Sequence, residues 1–202
     1  MTVVEDAVTA VRGGGLAVIP TDTVYGLACS PHLPEAAQAL ARAKGRVEAQ
    51  PIALVSRSLD VLHECVPELR GRSAAVAAAL LPGPFTLVLP NPARRFPWLV
   101  PGREQTIGVR VPDVRDTARE LLDALGVVAA TSANLHGGPD PRRLEDVPAE
   151  LRAAAIVVDG GELPGIASTV VDLTGPEPDV LREGAVAASD ALARIRAALT
   201  AE

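Results

Sequence analysis

Ten residues of this 202-residue chain sit where apolar runs end, and their types add up to a pocket for an anion. Thr21 and Thr23 follow Leu16-Ala17-Val18-Ile19, Ser132 and Asn134 follow Val127-Val128-Ala129-Ala130, and Ser168 precedes Thr169-Val170-Val171. Thr106 opens the run that Arg110 closes, Lys44 and Arg46 flank Gly45, and Arg182 follows Val180-Leu181. Any one of the threonines alone is an ordinary turn cap. As a set, hydroxyls, an amide and cations with no accompanying nucleophile suit phosphoryl or nucleotidyl transfer, where positioning and charge neutralisation do most of the work.

Other chemistries lack their residues. No G-x-S-x-G elbow or G-x-x-x-x-G-K-[ST] loop occurs, and no Cys/His pair has sequence support as a nucleophile and base. Gly13-Gly14-Gly15 end a helix and precede a strand, the wrong order for a dinucleotide fingerprint. Cys29 and Cys65 form no CxxC, and His32, His63 and His136 lie far apart, so no direct metal motif is present and a reducing compartment is expected. A net charge of -6 and 2% aromatic residues argue against a mainly electrostatic or stacking nucleic-acid binder. Of 19 basic residues Lys44 is the single lysine, which leaves eighteen arginines. A compact ammonium surviving in so arginine-rich a chain suits contact with a phosphate, and the competing explanation is an exposed helix end.

The elements that must position these groups alternate along the chain. Thr2-Val3-Val4-Glu5 reads as a capping box opening a helix to Arg12, and Leu16 to Ile19 as a buried strand emptying into the polar corner Thr21 to Tyr25. A helix from Pro34 delivers Lys44, Ile52 to Val55 is a strand, Ser58 caps a helix, and Pro67 to Leu80 is a further helix. Strands follow at Phe85 to Leu89, Thr106 to Val111 and Val127 to Ala130, with a candidate flap over Pro90 to Gln105 and a helix from Asp113 or Asp116 to Leu125. A short helix over Asp146 to Ala154, strands at Ile156 to Val158, Thr169 to Asp172 and Val180 to Gly184, and a helix from Ser189 to Leu199 complete the pattern. No linker divides it, so residues 1–202 read as a single domain. The apolar runs are too short to span a bilayer and no export signal is seen, so a cytoplasmic protein with no membrane contact is expected.

Seven ordered blocks, IPTDTVYGLA, AKGR with Pro51-Ile52 beyond it, LLPGPFTLVL, TIGVRVP, TSANLHGG, STVVDLTG and VLREGAV, resemble the YrdC-type family of threonylcarbamoyl-AMP synthases, in the short single-domain form. The resemblance runs from about Thr2 to Ala187. It implies an α/β fold, a twisted open mixed sheet with helices on both faces of the YrdC/RibB-like kind, around a cationic cavity. It also implies a nucleotidyltransferase that makes threonylcarbamoyl-AMP and pyrophosphate from L-threonine, bicarbonate and ATP. Mg2+ would accompany ATP, and separate proteins would carry the product to tRNA, with at most a weak RNA contact by this chain.

Position by position, the resemblance puts L-threonine against Thr21, Thr23, Arg110 and Ser168. ATP would lie against Lys44, Arg46, Thr106, Ser132, Asn134 and Arg182, with Lys44, Arg46, Ser132 and Asn134 as the catalytic set. The chain departs from the family pattern at Val47, Gln50, Val55 and Asp140, where proline, lysine or asparagine, a histidine of the long members, and serine are the usual residues. A YciO-type paralogue and a double-stranded RNA-binding protein with the same cavity are the alternative readings.

Overall fold

Both layers of this structure are built from helices that bury one face on a common sheet. The computed structural model describes residues 2–45 and 50–200. The first half comprises α1 (Val3–Arg12), β1 (Ala17–Ile19), β2 (Gly26–Cys29), α2 (Pro34–Ala43), β3 (Ala53–Ser56), α3 (Leu59–Cys65), α4 (Arg72–Leu80) and β4 (Phe85–Pro90). The second comprises β5 (Thr106–Arg110), α5 (Asp116–Leu125), β6 (Val127–Ser132), α6 (Ala149–Ala153), β7 (Ile156–Val157), β8 (Thr169–Asp172), β9 (Asp179–Arg182) and α7 (Ala188–Thr200). The strands form one mixed sheet in the order β7-β1-β2-β6-β3-β5-β4-β8-β9. Among the described residues no helix is long and apolar enough to cross a membrane.

Local chemistry sets the helix starts. Thr2 and Glu5 form the expected capping box, with Thr2 Oγ1 accepting from the Glu5 amide at 3.2 Å, and the Ser58 hydroxyl accepts from the Val61 amide. Two helix starts differ from the sequence reading by more than a residue: α6 begins at Ala149 rather than Asp146, and α4 begins later than Pro67. Pro67 to Arg70 lies outside α4, which begins at Arg72 because Gly71 takes a left-handed conformation (φ +53°).

Strand alternation then divides the sheet into two faces. Leu54, Leu87 and Val109 stand together by register and join the larger core with Leu40, Leu62, Val76 and Ile195 from α2, α3, α4 and α7. On the opposite face Val4, Ala7, Val8 and Val11 of α1, at helical spacing, pack with Leu121 and Leu122 of α5 over Ile19, Ala28 and Val128. That second layer covers β7, β1, β2 and β6. Beyond it the same face is floored by Ala53, Gly108, Thr86, Val88 and Val170, and there the cavity opens.

β2 is absent from the sequence reading. Gly26-Leu27-Ala28-Cys29 has no β-branched residue, yet it is wholly buried and pairs with β1 on one side and β6 on the other, extending β6 through Thr131 and Ser132. Tyr25, grouped in sequence with the polar corner, belongs to the core instead. Its ring is fully buried, and its hydroxyl shares its one proton between Asp159 Oδ1 (3.0 Å) and the Gly161 carbonyl (2.8 Å) while accepting from the Gly160 amide. This ties down a strap, residues 158–168, that runs from β7 at one edge of the sheet to β8, next to the strand at the other edge. The Gly165 amide donates to the Thr23 carbonyl on the way.

Burial, with the Asp159 carboxylate beside it, pushes the Tyr25 hydroxyl up to about 12, and burial alone pushes the Cys29 thiol up to about 12. Ordinary values are 10.0 and 9.0. A raised pKa means that the folded state favours the protonated form. The contribution is therefore complete below the unfolded values and is lost as pH rises from about 9 towards 12. Thermal melts should show stability falling across that window, and Tyr25→Phe with Cys29→Ala should flatten the decline. At neutral pH Tyr25→Phe should cost about 1–2 kcal/mol in urea titration, from the hydrogen bonds it removes.

Candidate active site

The cavity holds about 370 Å³ and reaches from Thr21 and Arg110 to Ser132, Asp140 and Arg182. Its floor is low because small residues line it on four strands. Gly26 of β2 and Ala130 of β6 line it, Ala130 pairs with Ala53, and Gly108 lies beside Ala53, where an added Cβ would stand 3.7 Å from the Ala53 Cβ. A glycine inside a strand pattern is the sequence signal for such an approach, and Gly108 in TIGVR carries it.

At one end β5 delivers Arg110, which is 8% exposed. Its Nη2 donates to Asp22 Oδ1 and, at 2.8 Å, to the Thr23 hydroxyl, while the other Asp22 oxygen accepts from the Asp113 amide at 3.0 Å. Burial pulls the Arg110 pKa down and the Asp22 carboxylate opposes this. Arg110 Nε is buried with no hydrogen-bond partner, a donor suited to a ligand carboxylate. Thr21 lines the cavity and closes its own turn, donating to the Val24 carbonyl at 2.7 Å. Thr23 is fully buried behind this wall, where it braces Arg110 and does not line the cavity.

The other end is built by the close of β6 and the loop after it. Ser132 lines the cavity. Its hydroxyl donates to Asn134 Oδ1 at 2.7 Å, and the Asn134 amide nitrogen donates to the Gly138 carbonyl at 2.8 Å. Lys44, at the C-terminal end of α2, is 2% exposed, which excludes the exposed helix-end explanation. Its ammonium donates to the Ser132 carbonyl and, at 2.9 Å, to Asn134 Oδ1. Arg46 lies outside the described residues.

The third wall comes from β8 and β9. Ser168 shares a 2.8 Å hydrogen bond with the Thr86 hydroxyl, and Arg182 donates to the Ser168 carbonyl at 2.9 Å. Thr106 completes the rim, its hydroxyl donating to the Arg103 carbonyl. Arg103 and Val100 also line the cavity, and sequence reasoning passed over them because they fall in the Pro90 to Gln105 excursion. That segment is not a loose flap. Asn91 is fully buried and satisfied by Arg95 and Glu104 backbone, Trp98 Nε1 donates to the Pro31 carbonyl, and Leu99 is buried.

Among the described residues no group of three or more His, Cys, Asp or Glu could hold a metal ion, and both cysteines are free. The cavity wall therefore offers arginines and hydroxyls, with the Asn134 amide and the Lys44 ammonium behind Ser132 and outside the lining, an arrangement for holding two anions close together.

A family model covering Sua5, YciO and YrdC proteins, described as telomere recombination, matches residues 9–184. A Mycobacterium tuberculosis relative, provisionally named threonylcarbamoyl-AMP synthase, is 35% identical over 182 residues, 89% of this chain and 83% of its own length. A Pyrococcus abyssi relative named threonylcarbamoyl-AMP synthase is 34% identical over 177 residues, 86% of this chain. This chain spans about half of the Pyrococcus protein, 52%. The crystal structure of P. abyssi Sua5 complexed with L-threonine superposes with a TM-score of 0.81 at 33% identity, covering 90% of this chain and 54% of that one. Escherichia coli YciO gives 0.77 at 30% identity, with 90% and 89% covered.

Proposed function

The chain belongs to the Sua5/YciO/YrdC family, and we propose that it is a threonylcarbamoyl-AMP synthase, a nucleotidyltransferase using L-threonine, bicarbonate and ATP. One observation carries this reading: a single cavity has Arg110, with its orphan Nε, at one end and Ser132, backed by Asn134 and Lys44, at another. Arg110 takes the threonine carboxylate, and Thr21 and Ser168 border the rest of the amino acid. Ser132, oriented by Lys44 and Asn134 behind it, holds the triphosphate with Arg46, and Thr106 and Arg182 border the nucleotide. The Ser132 hydroxyl on the cavity wall is a hard oxygen that would suit Mg2+ arriving with ATP, where the ion would supply charge neutralisation, while Asn134 Oδ1 is taken up by the Lys44 ammonium and the Ser132 hydroxyl.

The threonine nitrogen attacks the bicarbonate carbon and water leaves, giving a carbamate. A carbamate oxygen then attacks the α-phosphorus as the bond to the bridging oxygen breaks, and pyrophosphate departs. The side chains orient two bound reactants and stabilise the leaving charge, so no covalent enzyme intermediate is required. Separate tRNA-modifying proteins then consume the product. Pyrophosphate release should require threonine, bicarbonate and ATP together. Turnover of ATP that is indifferent to threonine would overturn the synthase reading and favour the YciO-type one.

A further inference from the structure

We infer that Asp140 is this protein's own ligand for the nucleotide's Mg2+, so that the site selects the metal complex of ATP over free ATP. The inference rests on the reading that the triphosphate lies against Ser132, with Asn134 behind it. Asp140 is the one carboxylate among the described residues that line the cavity, where Arg103, Arg110 and Arg182 also stand. Asp22, at the Arg110 end, is spent on Arg110 and the Asp113 amide. Among the described residues the Asp140 side chain accepts one hydrogen bond, a long one of 3.5 Å from Asn134 Nδ2.

The loop that carries this carboxylate is held in place. Asn134 Nδ2 donates to the Gly138 carbonyl at 2.8 Å, the Gly138 amide donates to the Leu135 carbonyl at 3.0 Å, and Pro139 fixes the backbone leading to Asp140. A half-buried carboxylate beside a phosphate site repels a bare polyphosphate. With a divalent cation between them the sign reverses, because the ion is the largest local charge. Magnesium commonly keeps several waters and takes one or two carboxylates plus substrate phosphates, which is the donor set that Asp140 and a bound triphosphate would complete.

Calorimetric titration of the full chain and of Asp140→Asn with a non-hydrolysable ATP analogue, in excess Mg2+ and separately in EDTA, tests this. The wild type should bind the metal complex at least tenfold tighter than the free analogue. Asp140→Asn should weaken the first about tenfold and tighten the second, so that the preference collapses. Asp140→Ser should behave as Asp140→Asn does. Equal changes in the two arms, or none, would overturn Asp140 as a metal ligand while leaving the ATP site intact. Failure of the wild type to bind the analogue in either arm would overturn the underlying nucleotide reading and this inference with it.

Discussion

Lys44→Met is expected to lower threonylcarbamoyl-AMP formation by about 10²–10³-fold in kcat/KM, the scale of losing a preorganised charge-stabilising donor. The Lys44 ammonium draws the end of α2 onto the Ser132 carbonyl and Asn134 Oδ1, so one side chain fixes the orientation of two groups at the triphosphate end. Methionine keeps the length and removes the charge, leaving those acceptors short of a donor at a stability cost of about 1–3 kcal/mol. Lys44→Arg is the sharper variant. It retains the charge, but the site is 2% exposed and shaped to a compact head, so the planar guanidinium must push its neighbours aside. The fold should survive and most of the activity should not. Steady-state pyrophosphate release beside a melting curve measures both, and near-wild-type turnover by Lys44→Arg would reduce Lys44 to a structural tether.

Asp22→Ala should be the most destabilising of the single substitutions at the site, by about 3–5 kcal/mol, because it strands the Arg110 guanidinium in a buried position without its counter-charge. The double variant Asp22→Ala with Arg110→Met removes both charges and should recover much of that stability while recovering none of the activity, since the anchor for the threonine carboxylate is gone. Urea titrations of the two singles and the double close the thermodynamic cycle. A loss below about 1 kcal/mol for Asp22→Ala would show that water reaches Arg110 and replaces the carboxylate.

The sequence reading and the structure agree wherever local chemistry decides the outcome. The Thr2–Glu5 capping box, the Ser58 cap and the apolar runs that became β1, β4, β5 and β6 each carry their own signal. The candidate site was legible as an inventory of residue types, because hydroxyls and cations after buried strands have few other uses. Which of them face the cavity was not legible. Thr21 and Thr23 differ by two positions, yet one lines the wall and the other braces Arg110 behind it. Asp22 looks like a turn residue until its partner, 88 residues away, is known. Tyr25 departs from the polar corner for the same reason, since its hydroxyl is satisfied by a turn 134 to 136 residues distant. β2 escaped notice because its residues are held by pairing on both edges rather than by their own propensity.

The central claim is that this cavity joins threonine, bicarbonate carbon and the α-phosphate in one product. Mass spectrometry of a reaction run with ¹³C-bicarbonate, Mg-ATP and L-threonine tests it most directly. The account predicts an adenylate carrying both the threonine and the heavy carbon, formed with one pyrophosphate each and lost when threonine is omitted. A threonine adenylate without the labelled carbon, or ATP turnover with no adenylate at all, would contradict it.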